Sequence, residues 1–307
     1  MRLDNEFNSV RDIWRLHAVV MTVHWLRPRR CVAAMLLVVL GSSGLAPRGA
    51  RAADDVSPWD GDARSATRLI AGGSVPGAPL RAGLEIRLKP GWHTYWRYPG
   101  DAGVPPRFDF AGSQNVKAVE VLWPAPRRLP EAGLDTIGYD HDVILPLRVT
   151  PLDQAKPVTL QVKLDYAVCE KLCVPAQTKA GLALMRGQTG QEAALAAAEA
   201  RVPRNVALGA GASLAVRSVR RQEGGDRPHL VVDVAVPRGA SVDLFAEGPN
   251  EQWAMPLPVA VEGAGSGLQR FMLELDGAPP DAKYEGALVK LTVVTDGEAI
   301  EVPIPLD

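Results

Sequence analysis

Cysteine is scarce in this chain, with three residues in 307. So few thiols exclude a disulfide-dense scaffold, and a chain of this length can bury a core without cross-links. Histidines number five. Beside the cysteines they leave no further pair of ligands at zinc spacing. Strong charge of one sign is also missing, since 34 Lys+Arg face 35 Asp+Glu. That balance gives no reason to expect nucleic acid or an anionic membrane surface as partner. No apolar run reaches the roughly 20 residues that a membrane-spanning helix needs. Proline and glycine, in contrast, are plentiful at 26 and 29 residues, which points to many turns and short strands.

The N-terminus reads as a targeting segment. Arg27, Arg29 and Arg30 precede an apolar run from Cys31 to Leu40, a Gly-Ser-Ser-Gly break, and Ala50-Arg51-Ala52. This is the order of a secretory signal peptide, predicted to span residues 1–52 and to be cleaved after Ala52. Met21, six residues before Arg27, offers an alternative start that would make residues 1–20 an extension. Removal of residues 1–52 takes away eight basic and three acidic residues, leaving a net charge of −6. The expected location is outside the cytoplasm, in the periplasm, with no membrane span in the mature chain. Cys31 would leave with the signal, so Cys169 and Cys173 become an isolated pair in an oxidising compartment.

Along the mature chain the hydrophobic period is two. Leu80, Ala82, Leu84, Ile86 and Leu88 alternate up to the Pro90-Gly91 stop, and "VILPLRV" and "VTLQVKLDYAV" follow the same rule. "WPAPRRLP" reads as a proline-rich turn. Thr189 and Glu192 fit a capping box before "EAALAAAEARV", the single helix the sequence predicts, which Pro203 ends. Strand signals resume from about Val206 with "HLVVDVAVP", "SVDLFAEGP", "LQRFMLELDG", "ALVKLTVVTDG" and "IEVPIPLD". The predicted fold is all-β: two immunoglobulin-like β-sandwich domains, over 53–187 and 206–307, joined by a short helical linker at 188–205.

The segment "YAVCEKLCVPAQ" holds the chemistry. In a continuous strand the Cα atoms of Cys169 and Cys173 would stand roughly 13 Å apart, about twice what a disulfide spans. A bond therefore needs a turn at Glu170-Lys171-Leu172. Strand parity places Cys169 with Gln161, Lys163 and Asp165, so its sulfur is expected to face outward. Three readings stay open on spacing alone: a redox pair, a structural clasp, or a soft-metal site for Cu(I) with His93 or His141. A clasp of about five residues contributes only roughly 2 kcal/mol by chain entropy, which weighs against stability as its purpose. Trp92, Tyr95, Trp96 and Tyr139 could shield the sulfurs or dock a partner, although aromatics at a strand end also pack cores.

"GWHTYWRYPGDAGVPPRFDF", "LPEAGLDTIGYDHDVILPLRV" and "VKLDYAVCEKLCVPAQTKAGLAL" resemble the periplasmic N-terminal domain of the transmembrane disulfide reductase DsbD, and more closely its version in the suppressor-of-copper-sensitivity membrane reductases. The resemblance spans roughly residues 60–187, with Tyr166, Cys169, Cys173 and Pro175 as its most specific element. It implies an immunoglobulin-like domain whose Cys169 and Cys173 act as the catalytic pair, without an organic cofactor or a metal. Full-length relatives continue into a membrane electron-transfer domain, so as a departure from them this chain is expected to be a free-standing soluble protein that relays electrons between a membrane-embedded disulfide reductase and periplasmic thioredoxin-like or disulfide-bearing proteins. The alternatives are a non-catalytic adaptor with a closed disulfide, serving such a reductase or cytochrome c maturation, and Cu(I) binding in copper tolerance.

Overall fold

In a computed structural model, residues 54–131, 133–211, 213–223 and 227–306 are described. The signal peptide expected over residues 1–52 lies outside them.

Among the described residues up to 184 there are eleven strands: β1 (Asp60–Gly61), β2 (Ser65–Ala71), β3 (Leu80–Leu88), β4 (His93–Gly100), β5 (Arg107–Asp109), β6 (Val116–Val121), β7 (Arg127–Glu131), β8 (Leu134–Tyr139), β9 (Val143–Pro151), β10 (Val158–Cys169) and β11 (Cys173–Leu184). One antiparallel sheet runs β1-β2-β3-β9-β6; the other runs β11-β10-β4-β8-β7, with β5 added along β10. The alternating apolar residues of β3, β9 and β10 turn inward, and Leu84, Leu147, Leu160 and Leu164 are fully buried between the sheets. Polar groups that enter this core are paired: the Ser65 and Tyr166 hydroxyls meet at 2.8 Å, and Thr67 donates to Thr178 at 2.7 Å. Such pairing offsets the cost of burying a hydroxyl in an apolar layer.

A helix, α1 (Glu192–Glu199), follows. The expected capping box does not form: the N-cap is Gln191, with no side-chain cap bond. Glu192 turns instead to Arg81 and to the Gly73 N–H at 2.8 Å. A charge-assisted pair with a neighbouring sheet outcompetes the local backbone donor. Arg81 and Arg148 lie opposite each other in the β3–β9 register, and Glu199 bridges both guanidinium groups. This docks α1 on the outer face of the first sheet and relieves the repulsion of two adjacent arginines.

The second half comprises β12 (Arg204–Asn205), β13 (Ala215–Gln222), β14 (His229–Ala235), β15 (Val242–Glu247), β16 (Val259–Val261), β17 (Leu268–Glu274), β18 (Ala287–Thr295) and β19 (Ala299–Leu306). They build two four-stranded sheets, β12-β19-β18-β15 and β13-β14-β17-β16, around a second core. The described residues are thus all-β apart from α1, with two immunoglobulin-like sandwiches. Arg127–Glu131, which overlaps the "WPAPRRLP" stretch read from sequence as a turn, is the edge strand β7; an edge tolerates Pro130, which has no N–H to give a ladder. Among the described residues, no helix is long and apolar enough to cross a membrane.

The two sandwiches exchange side chains. Phe245 of β15 belongs to the first core, and Tyr98 of β4 packs against the second. Arg128 of β7 donates to Asp243 of β15 at 2.9 Å.

Candidate functional site

β10 and β11 form a hairpin in which Cys169 pairs directly with Cys173 across the three-residue turn Glu170-Lys171-Leu172. The turn solves the distance problem posed by an extended strand: the two Cα atoms stand 4.2 Å apart and the sulfurs are bonded. The cysteines differ sharply in access. Cys169 is 0% exposed, whereas Cys173 and all three turn residues are exposed.

The burial of Cys169 corrects the expectation that its sulfur faces outward. Its parity is as read, with Ala167 and Cys169 on the face opposite the main core, but a separate small cluster of Tyr95, Ala167 and Cys169 covers that face. β4 lies against the end of β10, with Thr94 opposite Val168 and His93 opposite Cys169. Thr94 strengthens this short ladder by donating its hydroxyl to the Ala167 carbonyl at 2.9 Å. The next residue, Tyr95, therefore points over the sulfurs. Its hydroxyl lies 2.7 Å from the Cys169 sulfur and 3.1 Å from that of Cys173. Disulfide sulfurs carry no proton, so the tyrosine is the donor to both. His93 meets the Tyr95 ring edge-on at 5.6 Å between centroids.

Tyr95 is held from above by Gly103, in the loop after β4. A Cβ at residue 103 would come within 2.6 Å of the tyrosine ring and 2.3 Å of the Pro99 side chain. Only glycine allows so close an approach.

The four aromatics singled out from sequence part company. Tyr95 alone is recorded on the sulfurs. Trp96, one residue on, is turned to the opposite face and fully buried in the main core. Tyr139 is buried there too, its hydroxyl donating to the Pro124 carbonyl at 2.8 Å, and burial pushes its phenol well above the ordinary tyrosine range. Trp92 is half-buried against that core, with the Arg64 guanidinium 6.0 Å from its ring centre. His141 lies 2.8 Å from Asp140. Gly103 and Thr94 were not singled out from sequence, because neither residue type signals its role; the close packing that requires them appears only once β4 is laid beside β10. Among the described residues, no group of three or more His, Cys, Asp or Glu is placed to hold a metal ion.

Residues 66–184 match the family described as thiol:disulfide interchange protein DsbD, N-terminal. Through this segment the chain is similar to the DsbD N-terminal family, the match covering less than half of its length. Tyr95, Gly103, Cys169 and Cys173 all fall inside the matched DsbD segment, whereas α1 and the second sandwich lie beyond it. A solved structure, the N-terminal periplasmic domain of ScsB from Proteus mirabilis, resembles this protein with a TM-score of 0.63 over 82% of this chain and 98% of the other. At 22% identity that likeness concerns the fold, and its extent reaches past the DsbD segment into the second sandwich. No curated protein matches the sequence.

Proposed function

We propose that this protein performs thiol-disulfide interchange through Cys169 and Cys173, relaying electrons between a membrane-embedded disulfide reductase and thioredoxin-like or disulfide-bearing proteins in the periplasm. The observation that carries the reading is the asymmetric bond: one cysteine exposed, the other buried, and one tyrosine hydroxyl donating to both sulfurs. The match of residues 66–184 to the DsbD N-terminal family and the predicted signal peptide support it.

The exposed cysteine defines the order of events. A donor thiolate attacks Cys173, because attack needs an open line to the sulfur. The Cys169–Cys173 bond breaks, a mixed disulfide forms on Cys173, and the electron pair leaves on the Cys169 sulfur beside the Tyr95 hydroxyl. A second donor thiolate then attacks its own sulfur in the mixed disulfide, so that the donor is oxidised and both cysteines are reduced. In the forward relay the Cys173 thiolate attacks a client disulfide. Cys169 then attacks the Cys173 sulfur, closing the bond again and releasing the reduced client. Two electrons enter and two leave. Tyr95 acts throughout as a hydrogen-bond donor that stabilises sulfur bearing negative charge.

The complete burial of Cys169 favours a second reading, in which the bond stays closed and the domain is an adaptor. One measurement separates them: the reduction potential of the purified mature protein, by equilibration in glutathione buffers and thiol trapping. A value near or above about −230 mV is expected for exchange, and one below about −300 mV would make the bond a clasp.

A further inference from the structure

We propose that the second sandwich is a positioning device for the disulfide, acting through the stretch of β4 that follows Tyr95. This rests on the exchange reading only in taking the bond to be reducible.

The argument begins with what fails to hold β4 in its own sheet. Tyr95 pairs with Gly138 of β8, but the next recorded partner is Gly100 with Thr136: five steps along β4 against two along β8. On its other side, β4 pairs with β10 only at His93 and Thr94. Residues 96–99 therefore bow out of the ladder, as in an enlarged bulge. A strand end released this way would fray unless side chains fixed it, and Tyr95 would lose its aim.

The side chains that fix it reach into the other sandwich. Arg97 donates to both carboxylate oxygens of Glu247 at 2.9 and 2.6 Å, and to Glu301 at 2.5 Å. Lys290, 3.8 Å from Glu247, completes the network. All three side chains of the Arg97 fork are mostly shielded from solvent. Burial works against the Arg97 charge, but the Glu247 and Glu301 carboxylates prevail and keep the guanidinium protonated. The Tyr98 hydroxyl donates to the Met255 carbonyl, and the Trp96 ring lies 6.1 Å from that of Phe245. Three consecutive residues after Tyr95 are thus anchored to β15, β19 and the chain before β16. A bidentate, desolvated fork imposes direction as well as attraction, so the register of β4, and with it the Tyr95 hydroxyl on the sulfurs, depends on a body outside the redox domain.

The test is a cycle in the full chain: Glu247→Gln with Glu301→Gln, Tyr95→Phe, and all three together, each checked for retained fold by circular dichroism. The readouts are the redox equilibrium constant in dithiothreitol buffers and the rate of reduction by that reagent, so a failure of protein relay would leave the test intact. Tyr95→Phe is expected to disfavour reduction by about three- to tenfold, the size of one hydrogen bond. The Glu247/Glu301 pair is expected to shift the equilibrium in the same direction by at least about twofold. In the Tyr95→Phe background it should add nothing. Should the double glutamine variant not fold, Tyr98→Phe removes only the Met255 hydrogen bond and decides instead, with the same direction expected. An equilibrium and a rate unchanged by loss of the clamp, or a shift that simply adds to that of Tyr95→Phe, would overturn the proposal.

Discussion

Tyr95 is the residue on which the chemistry of the pair turns. Its hydroxyl donates to both sulfurs of a bond that must pass through a charged state, and a donor interacts more strongly with an anionic sulfur than with a disulfide sulfur. Removing it should therefore cost the reduced form more than the oxidised form. The expected outcome for Tyr95→Phe is a reduction potential lowered by about 15–30 mV, which corresponds to a three- to tenfold change for a two-electron couple. Glutathione titration with thiol trapping checks it; an unchanged or raised potential would remove the assigned role. The sequence made the cysteines and an aromatic cluster legible as candidates, but it could not distinguish Tyr95 from Trp96. Alternation along β4 sends one to the sulfurs and the other to the core, and which face lies over Cys169 follows from the pairing of β4 with β10, a contact 74 residues distant.

At the scale of elements, the β10–β11 hairpin presents its turn to solvent, and Leu172 is 76% exposed beside the exposed Cys173. A large apolar side chain at that place has no folding role that an aspartate would destroy. Leu172→Asp is expected to leave thermal stability within about 0.5 kcal/mol of the parent, to leave reduction by dithiothreitol unchanged, and to slow exchange with a protein partner; equal rates with both kinds of thiol would remove Leu172 from the docking surface. The sheet β13-β14-β17-β16 offers a different kind of test. Asp233 on the central strand β14 is held by Arg270 of β17 at 2.6 Å and by Arg220 of β13 at 2.9 Å. The Arg270 hydrogen bond, with help from Arg220 and Ser218, draws its carboxyl down to about 2. A depressed carboxylate stabilises the fold above its unfolded value near 3.8 and loses that contribution as pH falls towards 2. Asp233→Asn is expected to cost about 1–3 kcal/mol at neutral pH and to flatten the loss of stability between pH 4 and 2, measured by urea denaturation. Alternation made strands such as β3 and β10 visible in the sequence. It missed β7, where prolines read as a turn, and β13, whose exposed "RRQ" end and bulge after Val216 break the alternation.

At the scale of the whole molecule the question is whether the two sandwiches fold as one. The described residues from 54 onward form a single compact unit, although sequence reading divides them at a helical linker. The division and the unity are compatible, because periodicity reports which residues turn inward within a sheet and says nothing of pairs such as Arg97 with Glu301, 204 positions apart. Phe245 is where the consequence is sharpest. It is carried by β15 of the second sandwich, is 0% exposed, and packs into the first core near Trp96. Truncating a buried phenylalanine costs about 3–5 kcal/mol. If the halves were independent, Phe245→Ala would weaken only the sheet that carries it. Because its ring fills the other core, the expected outcome is loss of protection in both, read by native-state hydrogen exchange as parallel acceleration of the slowest amides in β10 and in β18. The parent protein should show coincident unfolding by fluorescence and circular dichroism. Exchange that accelerates in β18 while β10 keeps its protection would mean that the first sandwich holds the disulfide, and Tyr95 above it, without its neighbour.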